Sequence, residues 1–276
     1  MAIEKIRQYL KPHTEKGIAI AFSGGVDSSF LLAVLAEMKT EHDFPIVALT
    51  MHSVFQKPEE LNEARQTASK NGIPIQVFSF NPLSVDEVKN NPPDRCYWCK
   101  KNIFARFTDY AKNNGYHLVI DGTNADDLDV YRPGRKALKE FGVASPLAEL
   151  GITKPEIRRM VDGMGLECAS RPSAPCLATR FEYGTILTED NIKRVAQGEA
   201  LLHSLFYDAQ NIRLRVHGSI ARIEVPPEYF RTIAEHANQI TAGLKNLGFT
   251  YITLDLEGFR SGSMDLNLEE DNGENL

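Results

Sequence analysis

The chain has 276 residues, of which 42% are hydrophobic, and its formal net charge is −6 at pH 7. This length allows one large core or two smaller ones, and the negative charge argues against the broad basic surface of a nucleic-acid-binding protein. No apolar run approaches the roughly 20 residues that a membrane helix needs, and the charged N-terminus is unlike a signal peptide. We therefore expect a globular, cytoplasmic protein with no membrane partner.

Strand and helix patterns alternate through the first part of the chain. Apolar runs predict strands at 18–22, 46–51, 75–78 and 117–120, and helical patterns occupy 59–70, 96–113, 132–141 and 153–164, with a further helix opening at Phe30. Thr153 is the expected N-cap of the helix at 153–164, since Pro155 and Glu156 follow in its first turn. The alternation predicts βαβ units around a mainly parallel sheet.

The pattern changes after Gly165. Residues 170–180 contain two prolines and no apolar period, which indicates an irregular connection. Beyond it we predict helices at 189–206 and 228–237 and strands at 211–217, 219–225 and 250–254. We therefore expect an α/β domain over 1–169, a smaller α+β domain over 170–262 and an acidic, disordered tail over 263–276.

A glycine-rich loop follows the first predicted strand and opens the next helix. Its residues are Ser23, Gly24, Gly25, Val26, Asp27, Ser28 and Ser29. Glycines let the backbone approach an anion, the hydroxyls add donors, and a helix N-terminus favours negative charge. Asp121, Gly122, Thr123 and Asn124 follow the fourth strand, so both loops are expected at one edge of the sheet. An anionic ligand, most simply a nucleotide, is expected there.

This loop lacks the lysine of the Walker pattern and the spaced glycines of a dinucleotide fold. It resembles the PP-loop of the ATP pyrophosphatase family, whose Rossmann-like fold is also called adenine nucleotide alpha hydrolase-like. The resemblance implies that Ser23, Gly24, Gly25, Ser28, Ser29 and Gly122 hold ATP and that Asp27 contacts Mg²⁺. Lys100 and Arg135 are additional candidates for supporting the phosphates or a metal cluster.

Three of the four cysteines have spacings that indicate chemistry. Cys96 and Cys99 lie at i and i+3 on one face of a predicted helix, which fits two buried small residues, a redox pair or half of a metal site. Cys176 lies in the proline-bearing connection, where a side chain more readily faces a crevice. Three thiolates would leave one iron of a four-iron cluster open, and Cys168 has the apolar context of a packed residue.

The order of PP-loop, CxxC and later single cysteine resembles the LarE family of sulfur transferases over nearly the whole chain. The supporting segments are 121–124, 129–135, 180–185, 213–217, 220–224 and 254–262. One branch of that family sacrifices the sulfur of the later cysteine, here Cys176. The presence of Cys96 and Cys99 resembles the other branch, in which three cysteines hold a 4Fe-4S cluster that carries an extra sulfide. Sacrificial transfer from Cys176 is the alternative.

The resemblance implies a reaction and a substrate. ATP would adenylate a carboxylate of pyridinium-3,5-biscarboxylate mononucleotide, and sulfur would then give a thiocarboxylate for nickel-pincer cofactor biosynthesis. We expect Arg213 and Arg215 to grip the substrate phosphate and Arg180 to steer the reacting carboxylate toward Cys176. Exposed arginines on a solvated sheet face are the alternative. Glu199 and Glu224 match acidic family positions that bind substrate, and ordinary surface or hairpin pairing is their alternative.

Other functions remain open from the sequence. A tRNA thiolase of the PP-loop type would need a basic groove, an amide-forming synthetase would leave three cysteines unexplained, and a metal-bound regulatory module would leave the PP-loop idle. The resemblance also implies a sulfide source and a homo-oligomer assembled through the C-terminal domain.

Overall fold

A computed structural model describes residues 2–128, 133–166, 168, 175–207, 209 and 211–265. The strands of this region are Ile18–Ala21 (β1), Ile46–His52 (β2), Ile75–Ser79 (β3), Leu118–Ile120 (β4), Arg213–His217 (β5), Ile220–Glu224 (β6) and Tyr251–Leu254 (β7). The helices are Ala2–Leu10 (α1), Val26–Glu41 (α2), Glu60–Lys70 (α3), Asp86–Lys89 (α4), Arg95–Asn113 (α5), Gly134–Glu140 (α6), Pro146–Glu149 (α7), Lys154–Gly163 (α8), Glu189–Leu205 (α9), Phe230–Glu235 (α10) and Ala237–Asn246 (α11). Short 3₁₀ turns occupy Lys11–Lys16, Pro82–Ser84, Ala125–Leu128, Leu177–Arg180 and Pro227–Tyr229.

Within this described region the first sheet has four parallel strands in the order β3-β2-β1-β4. Ile18 of β1 pairs with Ile46 on one side and Leu118 on the other, so β1 lies in the middle of the sheet. The first six residues of β2 are buried and all of them except Thr50 are apolar, as expected for a strand of a parallel sheet that is covered on both faces. The predicted α/β fold with a parallel sheet is confirmed.

Contacts divide the chain into two units. The first takes Met1–Asn81 and Asp94–Ser173, and the second takes Pro82–Pro93 and Ala174–Leu276. That Pro82–Pro93 belongs to the second unit was not predicted from the sequence. Asn91 ties this segment to that unit, because this fully buried residue donates to the Glu182 carbonyl at 2.7 Å and accepts from the Gly184 N–H at 2.9 Å.

The core of the first unit forms where α2 packs between the sheet and α8. Phe30, Leu31, Leu32 and Leu35 of α2 are completely buried, and Ile157 and Val161 of α8 belong to the same cluster. Cys168 is also buried in this cluster. Its prediction as a packing residue is confirmed.

The second unit has a three-stranded sheet among its described residues, in the order β5-β6-β7. β5 and β6 form the predicted antiparallel hairpin around Gly218, whose φ of +58° suits a tight turn, and β7 joins β6 in parallel. The helix predicted over 228–237 is present as the 3₁₀ turn Pro227–Tyr229 and α10, whereas α11 was not predicted. The helix predicted over 132–141 begins at Gly134 among the described residues, and Arg132 lies outside them.

The predicted tail begins too early. Ser263 is 7% exposed and donates to Glu224 at 2.7 Å, and Asp265 accepts from the Tyr183 hydroxyl at 2.7 Å. The rest of the predicted tail, residues 266–276, lies outside the described residues. In the described ranges no helix combines the length and the apolar character needed to cross a membrane.

Candidate active site

The glycine-rich loop joins β1 to α2, as the sequence predicts. Gly24 has a φ of +76°, a conformation that favours glycine, and Gly25 is the N-cap residue of α2. The Gly25 N–H donates to Ser23 Oγ at 3.3 Å, and the Gly25 carbonyl accepts from Ser28 Oγ at 3.1 Å and from the Ser29 N–H at 2.9 Å. These bonds fix the loop against the first turn of the helix.

The loop after β4 lies directly against that first turn. A Cβ atom on Gly122 would lie 2.9 Å from Ser28 N and 3.3 Å from Asp27 Cβ, so no larger residue fits without displacement. Asn124 Nδ2 donates to Asp27 Oδ2 at 3.3 Å. The predicted convergence of the two loops is confirmed.

Buried hydroxyls line the start of α2. Ser28 and Ser29 are 5% and 2% exposed, and Ser29 Oγ has no hydrogen-bond partner among the described residues. A buried hydroxyl of this kind favours a ligand that accepts a hydrogen bond from it. The N–H groups at the start of a helix, which have no partner within the helix, favour an anion. The site therefore fits the phosphates of ATP.

Lys154, the first residue of α8, was not predicted from the sequence as a site residue. Its Nζ donates to both carboxylate oxygens of Asp27, at 2.6 and 2.7 Å. Thr153 and Glu156 form a capping box at this helix start, which was predicted from the sequence only as a helix boundary. The sequence marks Lys154 only by its position next to that cap. A cap does not indicate that the side chain contacts Asp27, which lies 127 residues away in the sequence.

Asp121 holds the second loop in shape. This carboxylate is 7% exposed and accepts from the Thr123 N–H at 3.2 Å, from Thr123 Oγ1 at 2.5 Å and from Ser145 Oγ at 2.6 Å. Three donors compensate a buried charge. Asp121 therefore supports the position of Gly122.

Arg135 and Lys100 have other partners than the predicted phosphates. Arg135 Nη1 donates to the Leu128 carbonyl at 3.1 Å and to the Asp127 carbonyl at 3.5 Å, which ties α6 to the preceding 3₁₀ turn. A Cβ atom on Gly134 would lie 2.6 Å from Lys100 Cδ, so the Lys100 stem packs between α5 and α6. That either residue supports the phosphates or a metal cluster stays a prediction.

Cys96 and Cys99 lie near the N-terminus of α5, as predicted, and both are partly exposed and outside any disulfide. Arg95 Nη2 lies 3.9 Å from Cys96 Sγ, and Arg95 itself is 3% exposed. Soft sulfur ligands of this kind suit zinc and iron–sulfur clusters.

Cys176 belongs to the second unit, whereas Cys96 and Cys99 belong to the first. It is partly exposed and not in a disulfide, and it directly precedes the 3₁₀ turn Leu177–Arg180, where its carbonyl accepts from the Thr179 N–H at 3.0 Å. Among the described residues no group of three or more histidine, cysteine, aspartate or glutamate side chains is arranged to hold a metal ion.

Arg180 and Glu199 form a fully buried ion pair in the second unit. The Arg180 side chain is 0% exposed, and its Nε and Nη2 donate to the two Glu199 carboxylate oxygens at 2.8 and 3.1 Å. Arg180 Nη1 donates to the carbonyls of Pro175 at 2.9 Å and Cys176 at 3.3 Å. The prediction that Arg180 contacts a substrate carboxylate is therefore corrected, because its guanidinium holds the Cys176 backbone instead.

Glu199 is corrected for the same reason. Its carboxylate, 1% exposed, also accepts from the Leu214 N–H at 3.2 Å. It orients Arg180 and β5 rather than presenting a free carboxylate to a substrate.

Arg213 and Arg215 are 4% and 5% exposed, so the alternative of arginines on a solvated sheet face is wrong. Arg215 donates to Glu224 at 3.0 Å and to the Thr179 carbonyl at 2.9 Å. Arg213 donates to the Ile212 carbonyl at 2.8 Å, and its guanidinium lies 5.1 Å from the Phe259 ring centre.

This arginine cluster, formed by Arg180, Arg213 and Arg215 with Glu199 and Glu224, carries more positive than negative charge. Burial and the neighbouring Arg180 charge lower the pKa of Arg213 to about 10. Burial also lowers the pKa of Arg215, against the opposing effect of Glu224. An anion placed here would relieve the repulsion between the cations.

Similarity searches match the chain to known proteins. A PP-loop domain family matches residues 1–91. The pyridinium-3,5-bisthiocarboxylic acid mononucleotide synthase of Lactiplantibacillus plantarum is 37% identical over 247 residues, 90% of this chain and 88% of its own. An uncharacterized protein of Synechocystis sp. is 38% identical over 264 residues, 95% of this chain and 96% of its own.

A tRNA-specific 2-thiouridylase of Thermoanaerobacter pseudethanolicus is 26% identical over 228 residues, 66% of this chain and 61% of its own. The two more similar relatives match well beyond residues 1–91, which the PP-loop model covers.

Proposed function

The chain belongs to the LarE family of ATP-dependent sulfurtransferases, and we propose that it converts a carboxylate of pyridinium-3,5-biscarboxylate mononucleotide into a thiocarboxylate. The observation that carries this proposal is the similarity to the bisthiocarboxylic acid mononucleotide synthase over 90% of the chain. A match of that extent reaches beyond the residues of the PP-loop family model and into the second unit.

The first step is activation of the carboxylate. A carboxylate oxygen attacks the α-phosphorus of ATP, the bond from that phosphorus to the β-phosphate oxygen breaks, and pyrophosphate leaves. Ser23, Gly24, Gly25, Ser28, Ser29 and Gly122 would hold the phosphates. The acyl adenylate that results lacks the negative charge of the carboxylate and has AMP as a good leaving group.

Asp27 would hold Mg²⁺ beside the phosphates. Its carboxylate is a hard oxygen ligand, and it lies at the start of α2, where the phosphates are expected. The ion would supply positive charge for the departing pyrophosphate.

The second step exchanges oxygen for sulfur. A sulfur nucleophile attacks the acyl carbon, the carbon–sulfur bond forms, and AMP leaves with the former carboxylate oxygen. A 4Fe-4S cluster held by Cys96, Cys99 and Cys176 would supply sulfide bound at the iron without a cysteine ligand. The donor set fits, because these three thiols are partly exposed and not in disulfides, whereas Cys168 is buried. Arg180 would fix the backbone of Cys176.

The arginine cluster would bind the substrate phosphate. Arg215 offers a planar group with bidentate geometry, and the excess positive charge of the cluster favours an anion. Glu224 would orient Arg215. We further propose a homo-oligomer that uses the second unit for contact, and a sulfide source that reloads the enzyme after each transfer.

The cysteine ligands can be tested without the complete reaction. We expect wild-type protein purified without oxygen to contain iron and acid-labile sulfide, and Cys96→Ala to lose most of both. Cys168→Ala is the matched control, since it removes a thiol that is no ligand, and it should keep its iron.

The alternative sulfur source gives the opposite result. In sacrificial transfer Cys176 loses its Cα proton and its carbon–sulfur bond, which leaves dehydroalanine. Iron-free wild-type protein whose Cys176 becomes dehydroalanine during turnover, measured by mass spectrometry, would contradict the cluster. Substrate-dependent exchange of pyrophosphate into ATP tests the adenylation step separately.

A further inference from the structure

The ion pair between Lys154 and Asp27 joins three segments of the first unit. Lys154 comes from the first turn of α8, Asp27 from the first turn of α2 and Asn124 from the loop after β4. Nζ of Lys154 donates to both Asp27 oxygens, at 2.6 and 2.7 Å, and Asn124 adds a bond of 3.3 Å. The two charged side chains are 27% and 19% exposed, so water reaches this pair only partly.

The base of the Lys154 side chain is fixed. The capping box of Thr153 and Glu156 holds the helix start, and the Lys154 N–H donates to Asp126 Oδ2 at 2.8 Å. The ammonium stands on a flexible four-carbon stem. The ammonium can therefore change partner by rotation about the side-chain bonds of Lys154, while α8 stays in place.

The site needs a cation that the loop itself does not contain. Ser23 to Ser29 include no lysine or arginine, although a triphosphate bound there carries several negative charges. Ser29 Oγ is buried without a partner among the described residues, and it lies in the same first turn of α2 as Asp27, so a ligand that reaches this hydroxyl comes close to Asp27. Lys154 is a cation that contacts this loop, through both carboxylate oxygens of Asp27.

We propose that Lys154 is the phosphate-binding cation of this site. Without nucleotide its ammonium neutralises Asp27; when ATP enters with a divalent cation, that cation takes Asp27 and the ammonium moves to the β- and γ-phosphates. The proposal rests on the ATP-binding part of the proposed function and is independent of the sulfur source.

Binding of a non-hydrolysable nucleotide tests this role. We expect Lys154→Gln to weaken binding of α,β-methylene-ATP with Mg²⁺ about ten-fold or more, and to change AMP binding less than about two-fold, because AMP lacks the β- and γ-phosphates. Calorimetry of the purified full chain measures both. Arg159→Gln, which removes a charge from an exposed position of the same helix, should leave both affinities unchanged.

A pair of variants separates phosphate binding from the pairing with Asp27. Asp27→Asn removes the negative charge that pairs with Lys154. The double variant Asp27→Asn/Lys154→Gln then removes the ammonium where it no longer has a carboxylate partner at residue 27. We expect the double variant to bind α,β-methylene-ATP about ten-fold more weakly than Asp27→Asn alone. Equal binding would overturn the proposal and leave Lys154 a structural partner of Asp27. This comparison holds even if Lys154→Gln alone fails to fold.

Two results distinguish this inference from the proposed function. A wild type that does not bind α,β-methylene-ATP would overturn both the role of Lys154 and the ATP site. Intact analogue binding that depends on Lys154, together with absent thiocarboxylate formation, would support Lys154 and contradict the proposed sulfur transfer.

Discussion

Gly122 shows how a single missing side chain shapes the ATP site. Because its Cβ would lie 2.9 Å from Ser28 N, Gly122→Ala must push the two loops apart. Overpacking of this kind costs about 1–3 kcal/mol. We expect nucleotide binding to weaken about ten-fold, as measured by calorimetry with α,β-methylene-ATP.

Gly163 provides the control for this substitution. It ends α8, and a Cβ there would meet no heavy atom within 4 Å. Gly163→Ala should therefore keep nucleotide affinity and unfold at the same or a slightly higher temperature. If Gly122→Ala and Gly163→Ala lose the same nucleotide affinity, the loss does not come from the close contact between Gly122 and Ser28.

Residue types in the loops indicate an anion site directly, since glycines and hydroxyls after a strand have few other uses. Lys154 carries no such signal, because lysine is usually a solvated surface residue. Arg180 shows the opposite error. Its place beside Cys176 was predicted from the sequence, but its burial depends on Glu199, which lies on another helix.

At the scale of elements, the cap of α8 connects helix stability to the ATP site. Thr153→Ala removes the capping box and should cost about 1 kcal/mol of unfolding free energy. Because Lys154 follows directly, we also expect weaker α,β-methylene-ATP binding. Chemical denaturation and calorimetry measure the two effects.

Thr188 is the matched cap in the second unit. Its side chain accepts from the Asn191 N–H at 3.2 Å at the start of α9. Thr188→Ala should lose a similar unfolding free energy and keep nucleotide binding. If Thr153→Ala also keeps full binding, the cap of α8 serves stability alone.

Glu156 gives this cap a pH dependence. Hydrogen bonds from the Thr153 N–H and hydroxyl lower the pKa of the Glu156 carboxyl. A lowered pKa in the folded state means that its stabilisation is present above the ordinary pKa and is lost as pH falls through the lowered one. The difference in stability between wild type and Thr153→Ala should therefore shrink in acid.

Elements with a clear period could be predicted, because a parallel sheet requires apolar strands and its helices require one apolar face. The four strands of the first sheet were predicted within two residues at each end. The break between α10 and α11 escaped prediction. There His236 ends one helix and caps the next, and no proline or glycine marks that point.

At the scale of the molecule, we expect the two units to bind different ligands. Arg215→Lys keeps the charge of the arginine cluster but loses the planar group that binds Glu224 and the Thr179 carbonyl. The Michaelis constant for the mononucleotide substrate should rise about ten-fold, and binding of α,β-methylene-ATP should stay unchanged. Substrate-dependent exchange of pyrophosphate into ATP measures the first effect.

Arg231→Lys is the control, since it makes the same change at an exposed position of α10. It should leave the Michaelis constant unchanged. A loss of nucleotide binding in Arg215→Lys, with substrate binding intact, would contradict the division of roles between the units.

The sequence by itself determined the fold class, the PP-loop and the family, because these depend on local periodicity and on short motifs whose residues are neighbours in the chain. Only the tertiary structure decided which charges meet. The pairing of Lys154 with Asp27, the burial of Arg180 against Glu199 and the return of Pro82–Pro93 to the second unit all join distant segments. Their strength depends on how far packing excludes water from the paired groups, and burial is a property of the packed chain rather than of any motif.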